Sequence, residues 1–257
     1  MSFYISYAGS KRREMNEIRP HINWEGISKV VEAFCGSCAF SFDCFSLKTQ
    51  TNLSFHINDA DSDLVAMLNF IKSGRKKEIY EKLQTYRDIS TQDYKAFIAP
   101  LQSPECEDRL FKWVYRICYR GIQIGATPQS YKKFPQFKSF KAPTPMDNFV
   151  QIANITNVDF KVVCEQYRFD STALLFLDPP YSNCDNRFYS SSPTTNDVDE
   201  IYEYLAEYFL NAKCSVLLVV NNCLLMRVLF KNLIKHKYGK KYGVSGAKTE
   251  HLVICNQ

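Results

Sequence analysis

An acidic residue, two prolines and a tyrosine follow one another as Asp178-Pro179-Pro180-Tyr181. The apolar run before them, residues 173–177, has the length and composition of a buried strand in a parallel sheet. The two prolines end this strand, because neither can donate a hydrogen bond to a neighbouring strand. We therefore expect a carboxylate, rigid carbonyl groups and an aromatic ring at the carboxyl end of a strand, where open α/β sheets place their sites. Together these groups can hold a planar base through its exocyclic amine.

A turn of small residues, Cys35-Gly36-Ser37-Cys38, follows the first predicted strand at residues 30–34 and precedes a helical pattern. Such a turn directs backbone N–H groups and a helix N-terminus towards a ligand, although an ordinary strand-to-helix turn has the same pattern. The two cysteines also have the spacing of a metal or redox site. The sequence contains no second Cys-x-x-Cys and no His-x-x-x-His. We therefore expect no metal here, and two small side chains in a crowded turn.

A second predicted strand, residues 53–57, ends in a group of acidic residues. In nucleotide-binding α/β folds a carboxylate at this point accepts hydrogen bonds from ribose hydroxyls. Asp59 comes shortly after the strand and is the favoured ribose ligand. Asp61 and Asp63 stand at the start of the next predicted helix, 63–72, and the alternative role for both is helix N-capping.

The order of the elements predicts an α/β fold with a doubly wound sheet. After the strand–turn–helix–strand–helix opening, amphipathic spacing predicts helix from residue 75 to about 119, and proline and glycine residues predict loop at 121–145. The later predicted elements are helices near 148–155 and 161–167, a strand at 173–177, a helix at 197–211, a strand at 215–221, a helix to about Lys235, and a hairpin that pairs residues near 242–244 with 251–255.

The composition excludes several classes of protein. The 257 residues suffice for one large domain or for a main domain with an insertion, and an aromatic content of 14% argues against disorder. The apolar run at 216–220 ends at two asparagines and is too short to cross a membrane. The ten cysteines are scattered through apolar segments, which favours a reduced, intracellular protein. The net charge of +5 suits a polyanionic partner but does not require one.

Two segments carry a resemblance to a known family. The run at 178–181 resembles motif IV of the DNA adenine-N6 methyltransferases. Residues 34–38 resemble the Phe-x-Gly-x-Gly motif of the Dam-like members, in which the turn passes beneath the methionine part of S-adenosylmethionine. Gly36 matches the first glycine of that motif. The second glycine is replaced by Ser37 or Cys38, depending on the register of the turn.

Three further segments are similar to the same family. Residues 58–64 resemble its Ala-Asp-x-Asn-x-x-Leu segment, which makes Asp59 the ribose ligand. Residues 7–12 are similar to its Trp-Ala-Gly-Gly-Lys segment, which flanks the carboxylate end of the cofactor. Lys11 can pair with that carboxylate, and the alternative is a solvated basic arm. Residues 157–160 lie where the family carries Asp-Phe against the cofactor's adenine, although the aspartate also suits a helix N-cap.

Basic and aromatic residues are expected to hold the substrate. Phe188 and Tyr189 follow motif IV in a polar loop and resemble the family's loop over the target base; packing onto the core is the alternative. Residues 131–141 alternate lysines with aromatics, and residues 113–120 add further basic and aromatic groups. Lysines neutralise phosphates and aromatic rings stack or wedge, whereas the alternative is a solvated basic loop over an aromatic cluster.

The order of these motifs is that of the Dam-like, alpha-class DNA adenine-N6 methyltransferases. The resemblance implies a doubly wound mixed sheet of the S-adenosylmethionine-dependent methyltransferase type, formed by residues 1–74 and 146–257, with a helical and loop target-recognition insertion at 75–145. The residues expected to contact S-adenosylmethionine are Tyr7, Ala8, Gly9, Lys11, Glu32, Phe34, Cys35, Gly36, Ser37, Cys38, Asp59, Asp159, Phe160 and Asp178. The residues expected to contact DNA are Phe188, Tyr189, Arg116, Arg120, Lys132, Lys133, Lys138 and Lys141.

The implied reaction is methyl transfer to N6 of an adenine that is flipped out of double-stranded DNA. Asp178 and the carbonyl of Pro179 would accept hydrogen bonds from the amine, Pro180 would hold the loop rigid, and Tyr181 would stack on the base. Two alternatives stay open: methyl transfer to RNA adenine or to a protein amide, and a catalytically silent nucleic-acid-binding module. Protein glutamine methyltransferases begin the motif with Asn, so the aspartate argues against them. A monomer and a dimer are both compatible with the sequence.

Overall fold

The chain is described by a computed structural model over residues 10–47, 52–85, 108–110, 113, 140–141, 143–181, 195–241 and 248–256. It divides into two units, one of residues 1–10 and 61–155 and the other of residues 11–60 and 156–257. The second unit carries the predicted catalytic motif and most of the sheet. The predicted division into a catalytic domain and an insertion at 75–145 stays a prediction.

The described strands form one mixed sheet in the order β3-β2-β1-β4-β5-β7-β6. Neighbouring strands run parallel in the pairs β1–β2, β1–β4 and β4–β5, and antiparallel in the pairs β5–β7 and β6–β7. The predicted α/β fold with a mixed, doubly wound sheet is therefore confirmed. The strands are β1 (Lys29–Glu32), β2 (Ser54–Asn58), β3 (Asn154–Thr156), β4 (Ala173–Leu177), β5 (Ser215–Asn221), β6 (Ile234–Lys241) and β7 (Lys248–Cys255).

The central strands β4 and β5 are buried at every position. Their sequences are runs of apolar residues without alternation, as expected where helices cover both faces of a parallel sheet. Among the described residues, the α-helices of four or more residues are α1 (Met15–Ile18), α2 (Ala39–Phe45), α3 (Ser62–Lys72), α4 (Lys76–Thr85), α5 (Pro145–Ile152), α6 (Phe160–Tyr167), α7 (Thr195–Asn211) and α8 (Leu224–Leu229). None of these described helices combines the length and the apolar character that a membrane crossing requires.

The core of the second unit lies between the central strands and helices α6 and α7. Buried side chains of α7, including Tyr202, Leu205 and Tyr208, pack with Leu175 and Leu177 of β4. This burial fixes β4 in the sheet, and with it the start of the motif that follows at residue 178.

Helices α3, α4 and α5 belong to the first unit. Asp61 caps α3 by accepting hydrogen bonds from the backbone N–H groups of Asp63 and Leu64, which is the alternative that the sequence left open for it. Lys72 Nζ donates to the carbonyl of Ala153 at 2.5 Å, joining the end of α3 to the end of α5.

Two predicted element boundaries are wrong. The helix predicted near 148–155 ends at Ile152, and residues Asn154–Thr156 form the short edge strand β3 instead. The helix predicted to about Lys235 ends at Leu229, and β6 begins at Ile234. In both places a short apolar segment fits a helix or a strand equally well, and pairing with a neighbouring strand decides it. The predicted hairpin strand at 242–244 lies outside the described residues.

Candidate active site

Three neighbouring strands bring the predicted site residues to one edge of the sheet. Glu32 of β1 lies beside Ile57 of β2 and Phe176 of β4 in parallel register. The segments that leave these strands therefore begin close together, and all of them belong to the second unit. They contain the small-residue turn at 35–38, Asp59 and the motif at 178–181, respectively.

Both carboxylate oxygens of Asp178 accept hydrogen bonds from side chains. Lys11 Nζ donates to Oδ2 at 2.5 Å, and the Tyr181 hydroxyl donates to Oδ1 at 3.1 Å. Lys11 is 3% exposed and Asp178 19% exposed at their side chains, so this ion pair is largely shielded from water. The sequence predicts that Lys11 pairs with the cofactor's carboxylate, and that role stays a prediction; the contact that the structure shows is with Asp178.

The ring of Tyr181 is packed from two sides. The Lys11 ammonium lies 5.3 Å from its centroid, and His251 meets it in a T-shaped contact at 5.3 Å. Burial, followed by the nearby charges of Asp178 and Glu14, raises the pKa of Tyr181 well above its usual value. The phenol therefore stays protonated and acts as a hydrogen-bond donor.

The motif is held in place from helix α7. The Tyr202 hydroxyl donates to the carbonyl of Pro180 at 3.0 Å, and Tyr202 itself is fully buried. Because proline has a fixed φ, this single bond and the preceding strand define the course of the chain through the motif.

The turn after β1 has an unusual backbone. Gly36 and Cys38 have φ of +45° and +57°, in the left-handed region that favours glycine. Cys38 donates its N–H to the carbonyl of Cys35 at 2.6 Å, which closes the turn before α2. Of the two registers that the sequence leaves open for the second glycine, Cys38 is the position with a glycine-like conformation.

The thiols of Cys35 and Cys38 are buried in this turn and form no disulfide. Their mutual hydrogen bond, and then burial, raise the pKa of Cys35 well above its usual value. A thiol in this state is a poor nucleophile and a poor metal ligand. Among the described residues, no three His, Cys, Asp or Glu side chains are grouped so as to hold a metal ion.

Asp59 supports the same turn. Its Oδ2 accepts the N–H of Gly36 at 2.8 Å, and the backbone N–H of Cys35 donates to the carbonyl of Asn58 at 2.8 Å. Asp59 remains partly exposed, which is compatible with contact to a ligand.

Asn58 is a site residue that the sequence reasoning missed. Its amide donates to the carbonyls of Ala33 and Val158 at 3.1 and 3.0 Å, and its Oδ1 accepts from the Val158 N–H and the Thr156 hydroxyl. The side chain therefore joins the ends of two strands to the segment before α6. A polar residue at the end of an apolar strand is the signal that would have indicated it, because buried polar groups are almost always hydrogen-bonded.

Glu32, predicted as a cofactor residue, is 3% exposed and lies beneath the turn. Its Oε2 accepts the N–H of Ser41 at 3.0 Å, in the first turn of α2. Burial raises the pKa of Glu32 to about 8, against the opposing effect of hydrogen bonds from Ser41 and Phe40. Helix α2 has no side-chain cap of its own at Cys38, so Glu32 serves this end of the helix from the neighbouring strand. Its contact with the cofactor stays a prediction.

Two aromatic rings lie near the turn. Phe34 and Phe160 are partly buried, with ring centroids 4.9 Å apart. Phe160 also meets Tyr204 in a T-shaped contact. Asp159 caps α6 by accepting the N–H of Lys161 at 2.7 Å, which is the alternative role noted for it.

The remaining predicted residues are mostly outside the described residues. Among the expected DNA-binding side chains, Lys141 is described, and it is exposed. Two aromatic residues of the predicted recognition region, Trp113 and Phe140, are buried, and Trp113 packs against Phe70 of α3. These two rings pack in the core rather than lie open for a base. The predicted residues that lie outside are Tyr7, Ala8, Gly9, Arg116, Arg120, Lys132, Lys133, Lys138, Phe188 and Tyr189.

This chain has a mixed α/β sheet, and the small-residue turn, Asp59 and the Asp-Pro-Pro-Tyr motif follow its strands at one edge. These features are those of the class of methyltransferases. Residues 7–248 match the family of D12 class N6 adenine-specific DNA methyltransferases, and the chain belongs to that family. The chain is therefore a DNA methyltransferase that acts on N6 of adenine, and the resemblance read from the sequence is confirmed. A similar protein is the Type II methyltransferase M.CviBI of Paramecium bursaria Chlorella virus NC1A, which is 24% identical over 270 residues and is matched over 98% of both chains.

Proposed function

We propose that this enzyme transfers the methyl group of S-adenosylmethionine to N6 of an adenine that is flipped out of double-stranded DNA at one short sequence. The observation that carries the proposal is that the motif beginning at Asp178, the turn after β1 and Asp59 all follow their strands at the same edge of the sheet. The single-site specificity is supported by the similar chain M.CviBI, whose name describes a Type II methyltransferase. The enzyme acts in the compartment that contains the DNA.

The chemistry of the groups at this edge fits S-adenosylmethionine. Asp59 offers a partly exposed carboxylate for the ribose hydroxyls, and the rings of Phe34 and Phe160 offer apolar surface for the adenine. The left-handed backbone at Gly36 lets the main chain approach a ligand closely. When bound, the cofactor supplies a methyl group on a positively charged sulfur.

Asp178 activates the acceptor. The lone pair of the adenine amine is delocalised into the ring, so the amine is a weak nucleophile. A carboxylate that accepts an N6–H bond, together with the carbonyl of Pro179, localises the lone pair on nitrogen. Most of the rate then comes from orientation and from charges that are already in place.

The Lys11 ammonium donates to one of the two Asp178 oxygens that could accept from the adenine amine. It lies 2.5 Å from Asp178 Oδ2, while the Tyr181 hydroxyl takes the other oxygen. We infer that the amine replaces one of these donors when the base enters. The exchange conserves the number of hydrogen bonds to the carboxylate, so the charge of Asp178 keeps its hydrogen-bond partners. Extrusion of the base costs a few kcal/mol, which contacts of the recognition region offset.

Nucleoside analysis tests the proposal. Purified enzyme is incubated with duplex DNA and S-adenosylmethionine that carries an isotopic label in the methyl group, and the digested DNA is examined by mass spectrometry. We expect labelled N6-methyladenine at one short sequence and no labelled cytosine. Labelled N4-methylcytosine, or the absence of label from DNA, would contradict the proposal. The Asp178→Ala variant serves as the negative control.

A further inference from the structure

A buried carboxylate lies behind the pair of Lys11 and Asp178. The side chain of Glu14 is 6% exposed. Its Oε2 accepts a hydrogen bond from the Tyr238 hydroxyl at 2.6 Å and lies 2.8 Å from His251 Nδ1, while Lys240 Nζ lies 2.5 Å from Oε1. Because a carboxylate can only accept, His251 Nδ1 carries the proton in this contact. Neither the motifs nor the proposed function assign a role to these four residues.

The four residues join two parts of the second unit. Glu14 follows the 3₁₀ helix of Lys11–Arg13, and its N–H donates to the carbonyl of Lys11 at 2.8 Å. Tyr238 and Lys240 belong to β6, and His251 belongs to β7. The segment that carries Lys11 is thereby attached to the hairpin of β6 and β7 through one side chain.

The same cluster reaches the catalytic motif directly. The imidazole of His251, which contacts Glu14, also packs edge-on against the ring of Tyr181 at 5.3 Å. Tyr181 in turn donates to Asp178. Glu14 is therefore three contacts away from the catalytic carboxylate along one route, and along the other it is one helical turn from Lys11.

The charges in this cluster depend on one another. Burial acts to raise the pKa of Glu14, but the hydrogen bond from His251 and the charges of Lys11 and Lys240 outweigh it and lower the pKa to about 2. Burial and the charge of Lys11 lower the pKa of Lys240, and Glu14 opposes this change. Burial likewise lowers the pKa of His251, and Glu14 again opposes it.

We propose that Glu14 is a positioning residue for methyl transfer: it fixes the segment that carries Lys11 against Asp178 by binding Tyr238, Lys240 and His251 with an ionised carboxylate. The inference rests on the proposed function, because it requires Asp178 to be the group that receives the adenine amine. The charged and titratable groups around Glu14 are Lys11 on the 3₁₀ helix, Asp178 and Tyr181 after β4, Tyr238 and Lys240 on β6, and His251 on β7.

The chain offers a matched control. Glu17 belongs to α1, one turn after Glu14, and its Oε2 lies 3.0 Å from Nε2 of His236 on β6. The Glu17–His236 contact therefore joins α1 to the same hairpin, but its side chains are 49% and 35% exposed. Exposed pairs of this kind contribute little. Glu14→Gln and Glu17→Gln each remove one negative charge from the same short segment.

Single-turnover methylation over a range of pH tests the proposal. Glu14→Gln should lower the rate at least about tenfold, with the KM for S-adenosylmethionine nearly unchanged, since an interaction that only positions groups affects the transition state. The alkaline limb of its pH–rate profile should move to lower pH, because Lys240 loses the carboxylate that supports its charge. Glu14→Asp, which keeps the charge, should recover part of the rate. Glu17→Gln should match the wild type in rate and profile.

Histidine NMR tests the contacts without activity. The sequence has four histidines, so the His251 imidazole can be assigned by comparison with His251→Asn. In Glu14→Gln the pKa of His251 should fall further, whereas Glu17→Gln should leave it unchanged. Glu14→Asp allows the same measurement if Glu14→Gln does not fold.

The outcomes separate the two claims. A wild-type rate and an unshifted profile in Glu14→Gln, with active wild-type enzyme, overturn the positioning role and leave the proposed function intact. A wild-type enzyme that yields no N6-methyladenine overturns the proposed function, and the positioning role falls with it. A loss of rate in Glu17→Gln equal to that in Glu14→Gln would show that the effect is not specific to the contacts of Glu14, and would also overturn the proposal.

Discussion

Asp178 is held between two donors of its own chain, the Lys11 ammonium and the Tyr181 hydroxyl. This arrangement orients the carboxylate in a largely buried place and gives it hydrogen-bond partners there, where an unpaired charge would be costly. The residue assigned to the acceptor amine, Asp178, also differs from the residue assigned to the ribose of the cofactor, Asp59. The roles of Asp178 and Asp59 can therefore be separated by substitution.

Asp178→Ala and Asp178→Asn should each reduce methyl transfer by about 10²–10³-fold or more, because Ala removes the preorganised acceptor at the reacting amine and Asn removes its negative charge. The affinity for S-adenosylmethionine, measured by calorimetry, should stay within a few-fold of the wild type. Asp178→Asn is the cleaner variant, since its neutral amide oxygen can still accept a hydrogen bond from the buried Lys11, whereas Asp178→Ala removes that acceptor altogether. Activity near the wild-type level in either variant would refute the mechanism.

Asp59→Ala should show the opposite pattern. Its carboxylate supports the Gly36 N–H and is assigned to the ribose, so cofactor affinity should weaken first. Saturating S-adenosylmethionine should restore much of the rate in this variant and none in Asp178→Ala. The two dissociation constants and the two saturated rates, measured side by side, check the assignment.

Cys38 has a left-handed backbone at φ +57°, which costs an ordinary residue about 1–2 kcal/mol. We expect Cys38→Gly to be more stable towards urea than Cys38→Ala by about 1 kcal/mol, since both remove the thiol and only glycine relieves the strain. At Cys35, which has no positive φ, the order should be reversed. If Ala is the more stable replacement at both positions, the backbone of the turn differs from the one described.

At the scale of elements, the two central strands could be predicted to the residue. β4 and β5 lie at 173–177 and 215–221, as expected, because uniform apolar runs bounded by polar or proline residues leave little choice of limits. The edge strand β3 and the start of β6 could not be predicted, since their formation depends on pairing partners distant in the sequence.

The sequence identifies site residues where a motif marks them, but not where tertiary contacts alone do. Asp178 and Asp59 follow strands in a recognisable pattern. Asn58 and Glu14 have no such pattern, and their roles arise from partners about 100 and 237 positions away in the chain. The function of a buried polar residue is therefore hidden until the chain is folded, even when the family is evident.

The buried Glu32 side chain, which joins α2 to the sheet, predicts that the stability of the protein depends on pH. The pKa of Glu32 is raised from 4.5 to about 8 by burial, so the folded state keeps a proton that the unfolded chain releases. Stability from this group is complete below about pH 4.5 and is lost as the pH rises towards 8, with a slope of at most about 1.4 kcal/mol per pH unit.

Glu32→Gln should therefore gain stability relative to the wild type as the pH is raised from 5 to 8, since glutamine has no proton to release. Urea unfolding at several pH values checks this. Glu203→Gln, on the exposed surface of α7, is the control and should keep the same difference from the wild type at each pH. A constant difference for Glu32→Gln as well would show that the buried carboxyl is ionised throughout.

At the scale of the whole molecule, the catalytic edge alone does not explain how DNA is held. The described residues of that edge are chiefly acidic, apolar or paired, whereas the expected phosphate contacts come from the lysines of residues 131–141. Lys141 is exposed, and its neighbour Phe140 is buried. One buried ring beside one exposed lysine, at the described end of this segment, suits a surface that binds phosphates without reading bases.

Replacing Lys132, Lys133, Lys138 and Lys141 by alanine should weaken binding to duplex DNA and reduce its dependence on salt. Each phosphate contact that is lost should lower the slope of log affinity against log salt concentration by about 0.9, because fewer counterions are released. Fluorescence anisotropy with a labelled duplex at several salt concentrations measures the slope. Affinity for S-adenosylmethionine should not change, since these lysines lie outside the cofactor motifs.

The matched control replaces four exposed lysines elsewhere in the chain, Lys213, Lys231, Lys235 and Lys248, and lowers the net charge by the same amount. If the effect came from net charge alone, both variants would lose affinity equally at low salt. If the first four lysines contact phosphates, only the first variant should have a reduced slope of log affinity against log salt concentration. An unchanged slope in that variant would show that the lysines are merely solvated, and the phosphate contacts would then have to be sought on residues 113–120, where Arg116 and Arg120 lie.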